Sequence, residues 1–74
     1  MPTVTVSSEV AGNVWKLLVQ AGERVEADQD LLIIESMKME IPVSAPSAGT
    51  VQDLLVAEGE AVGEEQALLR LLVG

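Results

Sequence analysis

The 74-residue chain has no cysteine, no histidine, no tyrosine and no phenylalanine. Without cysteine there is no disulfide and no thiolate metal site, a composition compatible with a reducing compartment. Without histidine, the commonest general base and the commonest metal ligand are both missing. Trp15 is the only aromatic residue, so the core must be built from Val, Leu, Ile and Ala. Basic residues are also scarce. Lys16, Arg24, Lys38 and Arg70 face twelve carboxylates, and the net charge is −8. Such a surface repels phosphate backbones and anionic membranes. One aromatic residue cannot form a stacking platform for single strands. Neither a nucleic acid nor a membrane is expected as a partner. The opening "MPTVTVSS" lacks the charged and apolar regions of a signal peptide, and no apolar run reaches membrane-spanning length. The expectation is one cytoplasmic domain over residues 1–74, monomeric in isolation. It is too small to enclose a substrate, because a chain of this length buries only about 60–65% of its unfolded surface.

What the chain does have is an internal repeat. "AGNVWKLLVQAGERVEADQDLLII" from residue 11 aligns with "AGTVQDLLVAEGEAVGEEQALLRL" from residue 48, an offset of 37. From Pro2 to Glu35, 14 of 34 pairs are identical without a gap. The pseudo-repeats run about 2–36 and 39–73. Apolar runs can match by composition alone, but the pairs Gly12/Gly49 and Gly22/Gly59 cannot be explained that way. Glycine recurs where the backbone needs a positive φ or a tight turn.

The local pattern is strand. "TVTV" alternates with period two, and "VWKLLV" and "VQDLLV" are short apolar runs followed by the glycine turns "QAGER" and "AEGEA". Pro42 and Pro46 oppose a helix through 38–45. About eight strands result. Two similar halves, neither able to bury its own apolar face, are expected to pack face to face as an all-β sandwich or flattened barrel with approximate two-fold symmetry.

In that register "ESMKME" (35–40) is the link between the copies, and its symmetry mates are the chain ends. Link and termini should therefore lie at opposite ends of the domain, with the link a tight hairpin turn. Met and Lys are unusual there, since Asn-Gly or Asp-Gly is the normal choice. A broken local rule at a protruding point tends to mark function. Helical spacing of Ile34, Met37 and Ile41 offers a short helix as the alternative, which Pro42 and the repeat register oppose.

Catalysis by this chain alone is not expected. There is no Ser–His or Cys–His pair, no metal cluster and no phosphate-binding glycine loop. Glu64-Glu65 and Asp28/Asp30 read as solvated surface. What remains is one exposed lysine on a rigid tip. A lysine ammonium is a poor nucleophile, and the chain holds no means of activating it. Any chemistry on Lys38 must be done by another enzyme, which makes the chain a carrier.

"ESMKMEIPVSAPSAGTV" closely resembles the attachment signature of biotin carboxyl carrier proteins and the biotinyl domains of biotin-dependent carboxylases. Its heart is Met37-Lys38-Met39, preceded by Glu35-Ser36 and followed by Ala45-Pro46 and Gly49. The resemblance extends over nearly the whole chain, including both "G–E–x–V" turns. It implies a flattened β-barrel or sandwich of two quasi-symmetric four-stranded antiparallel sheets. It implies covalent biotin on Lys38, attached as an amide from an activated adenylate by a biotin protein ligase. It implies transfer of a carboxyl group from a biotin carboxylase site to a carboxyltransferase site, commonly onto an acyl-CoA, as in fatty acid metabolism. Met37 and Met39 would be adaptable apolar contacts for successive partners. They could instead cover the core. Glu35 and Glu40 would tune recognition by the ligase, or form a polar cross-strand pair facing solvent. Trp15 aligns with Gln52, which places it in a partly exposed position.

"SSEVAG" departs from the family, which often has proline and methionine before that glycine. No protruding insertion separates the strands. The lack of a Pro/Ala-rich linker before residue 1 leaves both a free-standing carrier and a domain of a longer chain open, and Met1 favours the first. A lipoyl domain, with lipoate on the same lysine, is the alternative. Its tip usually reads Asp-Lys-Ala, and the flanking methionines favour biotin. Modification by both ligases is a variant of that alternative. An unmodified acidic interaction scaffold is the alternative of another class.

Overall fold

The computed structural model describes residues 2–73. Eight strands follow one another: β1 (Thr3–Ser7), β2 (Gly12–Leu17), β3 (Arg24–Val25), β4 (Asp30–Ser36), β5 (Met39–Ser44), β6 (Gly49–Leu54), β7 (Ala61–Val62) and β8 (Ala67–Val73). They form two antiparallel four-stranded sheets, in the orders β1-β8-β6-β3 and β5-β4-β2-β7. The offset of 37 maps each strand of one sheet onto a strand of the other, in the same order. Among the described residues no hydrogen-bonded strand pair joins the sheets, so the architecture is a sandwich rather than a closed barrel.

The copies do not stack one per sheet. Each sheet takes two strands from each copy, so the halves interlock. The glycine turns complete the exchange. Gly22 N–H donates to Val51 O at 2.7 Å and Gly59 N–H donates to Val14 O at 2.7 Å. Gly22 and Gly59 have φ of 90° and 86°, so this pair serves the turn conformation expected of glycine.

The core consists of symmetry mates: Val14/Val51, Val19/Val56, Val25/Val62, Leu31/Leu68, Leu32/Leu69 and Ile34/Leu71 are all buried. Leu31-Leu32 and Leu68-Leu69 break the period-two pattern, yet all four are fully buried. A register shift explains this. Leu31 is skipped in the β4–β5 pairing and Leu68 in the β1–β8 pairing, so two consecutive side chains reach the core. Each such leucine contributes about 2 kcal/mol by leaving water.

The strands set the long axis of a molecule 36 × 17 × 17 Å across. At one end of the first sheet, Val25 pairs with Gly49 and Gly49 with Val73, whose N–H donates to Pro2 O. The short link after Val25 is tied to the start of the second sheet. Asp28 N–H donates to Ala45 O and Ala45 N–H donates to Gln29 O, both at 2.8 Å. The β4–β5 turn is at the far end of that second sheet. It therefore stands at the opposite end of the domain from Pro2 and Val73.

Candidate functional site: the hairpin tip

β4 and β5 are joined by two residues, Met37 and Lys38, and Ser36 pairs with Met39 across the turn. Both loop residues have positive φ, 51° and 65°. That is the signature of a type I′ turn, whose twist matches the flanking strands and which normally calls for Asn-Gly. Two ordinary side chains in the left-handed region cost roughly 1–2 kcal/mol each. There is no helix at 34–41. The strand register overrides the helical spacing, because Ile34 and Ile41 pair directly across the hairpin.

The root of the hairpin is fastened from below. Ser36 Oγ donates to Ala11 O at 2.8 Å. Beside it, Gly12 lies so close to β4 that a Cβ there would sit 2.4 Å from Glu35 O. Gly12 therefore serves close approach rather than a positive φ, and its mate Gly49 meets Leu72 O in the same way at 2.6 Å. Sequence reasoning identified these glycines as paired but expected a turn. It missed the role of Ser36, which only the folded contact with Ala11 discloses.

Above this root, Lys38 is exposed and makes no ion pair among the described residues. Met37 is 92% exposed and Met39 62% exposed, so Met37 covers none of the core. Glu35 and Glu40, both exposed, stand directly opposite one another. The narrow pair Ser36/Met39 closes the two-residue turn. The next pair, Glu35/Glu40, is then the non-hydrogen-bonded kind, in which side chains approach most closely. Like charges there are mildly destabilising. Among the described residues no cluster of carboxylates could hold a metal ion. The clearest concavity described is an open groove of about 460 Å³ between the edge strands β1 and β5. It includes Glu9, Ile34 and Ile41 but not Lys38, and it marks the seam where the sheets fail to close.

The family profile described as "Biotin-requiring enzyme" matches residues 1–71. The chain belongs to this biotin/lipoyl attachment family. The biotin/lipoyl attachment protein of Bacillus subtilis is 55% identical over 40 residues, 54% of this chain and 55% of that one. A putative urea carboxylase of Emericella nidulans is 42% identical over 43 residues, 57% of this chain and 4% of that one. Among solved structures, the Kluyveromyces lactis urea carboxylase contains a region of TM-score 0.91 and 30% identity, covering 97% of this chain and 6% of that one. A single-chain, multi-domain long-chain acyl-CoA carboxylase contains another, of TM-score 0.92 and 28% identity, covering 97% and 7%. The chain thus spans about half of the Bacillus protein and under a tenth of each carboxylase. The matching region of each solved carboxylase shares the sandwich described above. A carrier role for biotin or lipoate follows for this chain from its family and carboxylase neighbours.

The tip fits such a group. Covalent attachment as an amide needs a primary amine with space around it, and Lys38 supplies one at the end of the molecule. No other contact with the protein is required.

Proposed function

We propose that this chain is a biotin carboxyl carrier, modified on Lys38 by a biotin protein ligase. It serves a biotin carboxylase site and a carboxyltransferase site in turn, with an acyl-CoA as the acceptor. The observation that carries the reading is the type I′ turn at Met37-Lys38, two left-handed residues with exposed methionines on both sides of the lysine. Bound biotin supplies the carboxyl-carrying chemistry. The chain supplies a fixed anchor.

The anchor works through stiffness. A turn of two residues, closed by the Ser36/Met39 pair and tied to Ala11, holds Lys38 Cα in place while the side chain beyond it stays free. A prosthetic group on such an arm meets each partner site at a raised effective concentration, because the encounter is no longer bimolecular. Met37 and Met39 offer unbranched, polarisable surface that adapts to different partners. Glu35 and Glu40 present an acidic edge to the ligase. The protein acts in the cytoplasm as a monomer between encounters and is not itself an enzyme.

Lipoate, or both groups, is the second reading, favoured by the name of the Bacillus relative. Intact mass spectrometry of the protein from its native cell separates the two groups by mass. For the site, a streptavidin blot suffices. Lys16 and Lys38 are the only lysines. Lys38→Arg abolishes the signal and Lys16→Arg leaves it. Signal retained in Lys38→Arg would reject the site.

A further inference from the structure

The two-fold repeat provides an internal control for the outer faces of the sandwich. In each sheet a register shift sets two residues against one. Trp15 and Lys16 oppose Ile33, and at the matching place Gln52 and Asp53 oppose Arg70. One strand further across, Ile33 pairs with Pro42 and Arg70 with Thr5. The β1-β8-β6 face is polar and satisfies itself. Arg70 Nε donates to Asp53 at 2.9 Å within an ion pair, and Thr3 Oγ1 donates to Gln52 Oε1 at 3.3 Å. On the β5-β4-β2 face the same row reads Trp15 and Lys16, Ile33, and Pro42, so three apolar side chains stand beside one exposed cation. Trp15 is 48% exposed and Pro42 is exposed. Surface aromatics of this kind are where interfaces concentrate their binding energy.

Only one of the two faces is continuous with Lys38. Glu35 and Glu40 lie on the β5-β4-β2 face between the apolar row and the tip, and neither meets a cation among the described residues. Ile33 is three residues below the Ser36/Met39 pair, about 10 Å along the strand.

Resting on the reading above, we propose that the outer face of β5-β4-β2 is the docking surface for the biotin protein ligase. The ligase contributes an apolar patch to Trp15, Ile33 and Pro42 and a cation to the Glu35/Glu40 pair. The ligase is the occupant because it must draw the bare amine into its own active site. Lysine reaches only as far as its four-carbon stem. Enzymes that act on the finished cofactor can work at the end of a longer arm. The end of the domain spans only 17 × 17 Å between Cα atoms, so a partner seated over Lys38 also reaches the flank beside it. The flank with an apolar row and two uncompensated carboxylates suits it, and the flank with an internal ion pair does not.

The test uses purified biotin protein ligase, ATP and biotin, with initial rates measured against the concentration of unmodified protein. Trp15→Gln imports the residue found at the matching place on the other face. It raises KM about tenfold and leaves kcat within twofold. Pro42→Thr, built on the same logic, raises KM in the same direction and stands in if Trp15→Gln melts early. Gln52→Ala and Thr5→Ala leave both constants unchanged. Equal KM for wild type, Trp15→Gln and Pro42→Thr overturns the docking surface while the carrier reading stands. An equal rise for the Gln52 and Thr5 variants also overturns it. A wild-type protein that takes no label at Lys38 overturns both.

Discussion

The turn at Met37-Lys38 makes a quantitative test of the idea that function holds the backbone away from its preferred sequence. Replace Met37→Asn and Lys38→Gly together. Both positions have φ in the left-handed region, at 51° and 65°. Relief at Lys38→Gly recovers roughly 1–2 kcal/mol of left-handed strain. The greater freedom of unfolded glycine takes back about 0.5–1 kcal/mol. Asparagine tolerates the left-handed region through local hydrogen bonding, so Met37→Asn recovers a further ~0.5 kcal/mol. Nothing offsets these gains in the core, because Lys38 is exposed and Met37 is 92% exposed. The net gain is about 0.5–2 kcal/mol. In a domain of this size 1 kcal/mol moves Tm by about 4–8 °C, so the double variant melts roughly 2–16 °C higher. Calorimetry at neutral pH measures the shift, and streptavidin blotting confirms that the stabilised protein no longer takes biotin. A Tm unchanged or lowered would refute the reasoning. The turn would then not be strained by its residues, and its unusual composition would need another cause.

Gly12→Ala sets a Cβ 2.4 Å from the Glu35 carbonyl, backbone against backbone, so the root of the hairpin must shift. It should lose about 2 kcal/mol or more, visible as a lower urea midpoint. Gly63→Ala meets nothing within 4 Å and should hold the wild-type midpoint within experimental scatter. The hydrogen bond from Arg70 holds the Asp53 carboxyl below its ordinary range, partly opposed by desolvation, with a lesser lowering from the Arg70 charge. A depressed folded value means that the contribution is present above the unfolded carboxylate range and is lost as pH falls through the folded value. The Tm difference between wild type and Asp53→Asn should therefore be positive at pH 7 and vanish in strong acid. A difference that persists at low pH would show that the carboxylate charge is not its source.

The sequence by itself determined the repeat, the number and order of the strands, and the lysine at the bend between the copies. These are local properties. Alternation, paired glycines and prolines act over a few residues and are legible wherever they occur. The tertiary structure alone decided how the copies share the sheets. Strand pairing between β1 and β8, or β6 and β3, depends on packing between distant segments, and the repeat is compatible with stacked copies as well as interlocked ones. It also decided which residues stand opposite one another. The register shifts at Trp15 and Gln52 leave no mark in composition, yet they align Trp15, Lys16, Ile33 and Pro42 on one face and Gln52, Asp53, Arg70 and Thr5 on the other. The Ser36–Ala11 bond and the close approach of Gly12 belong to the same class. Each is a contact between segments that meet only once β2 and β4 have paired, and no short window of sequence contains both partners.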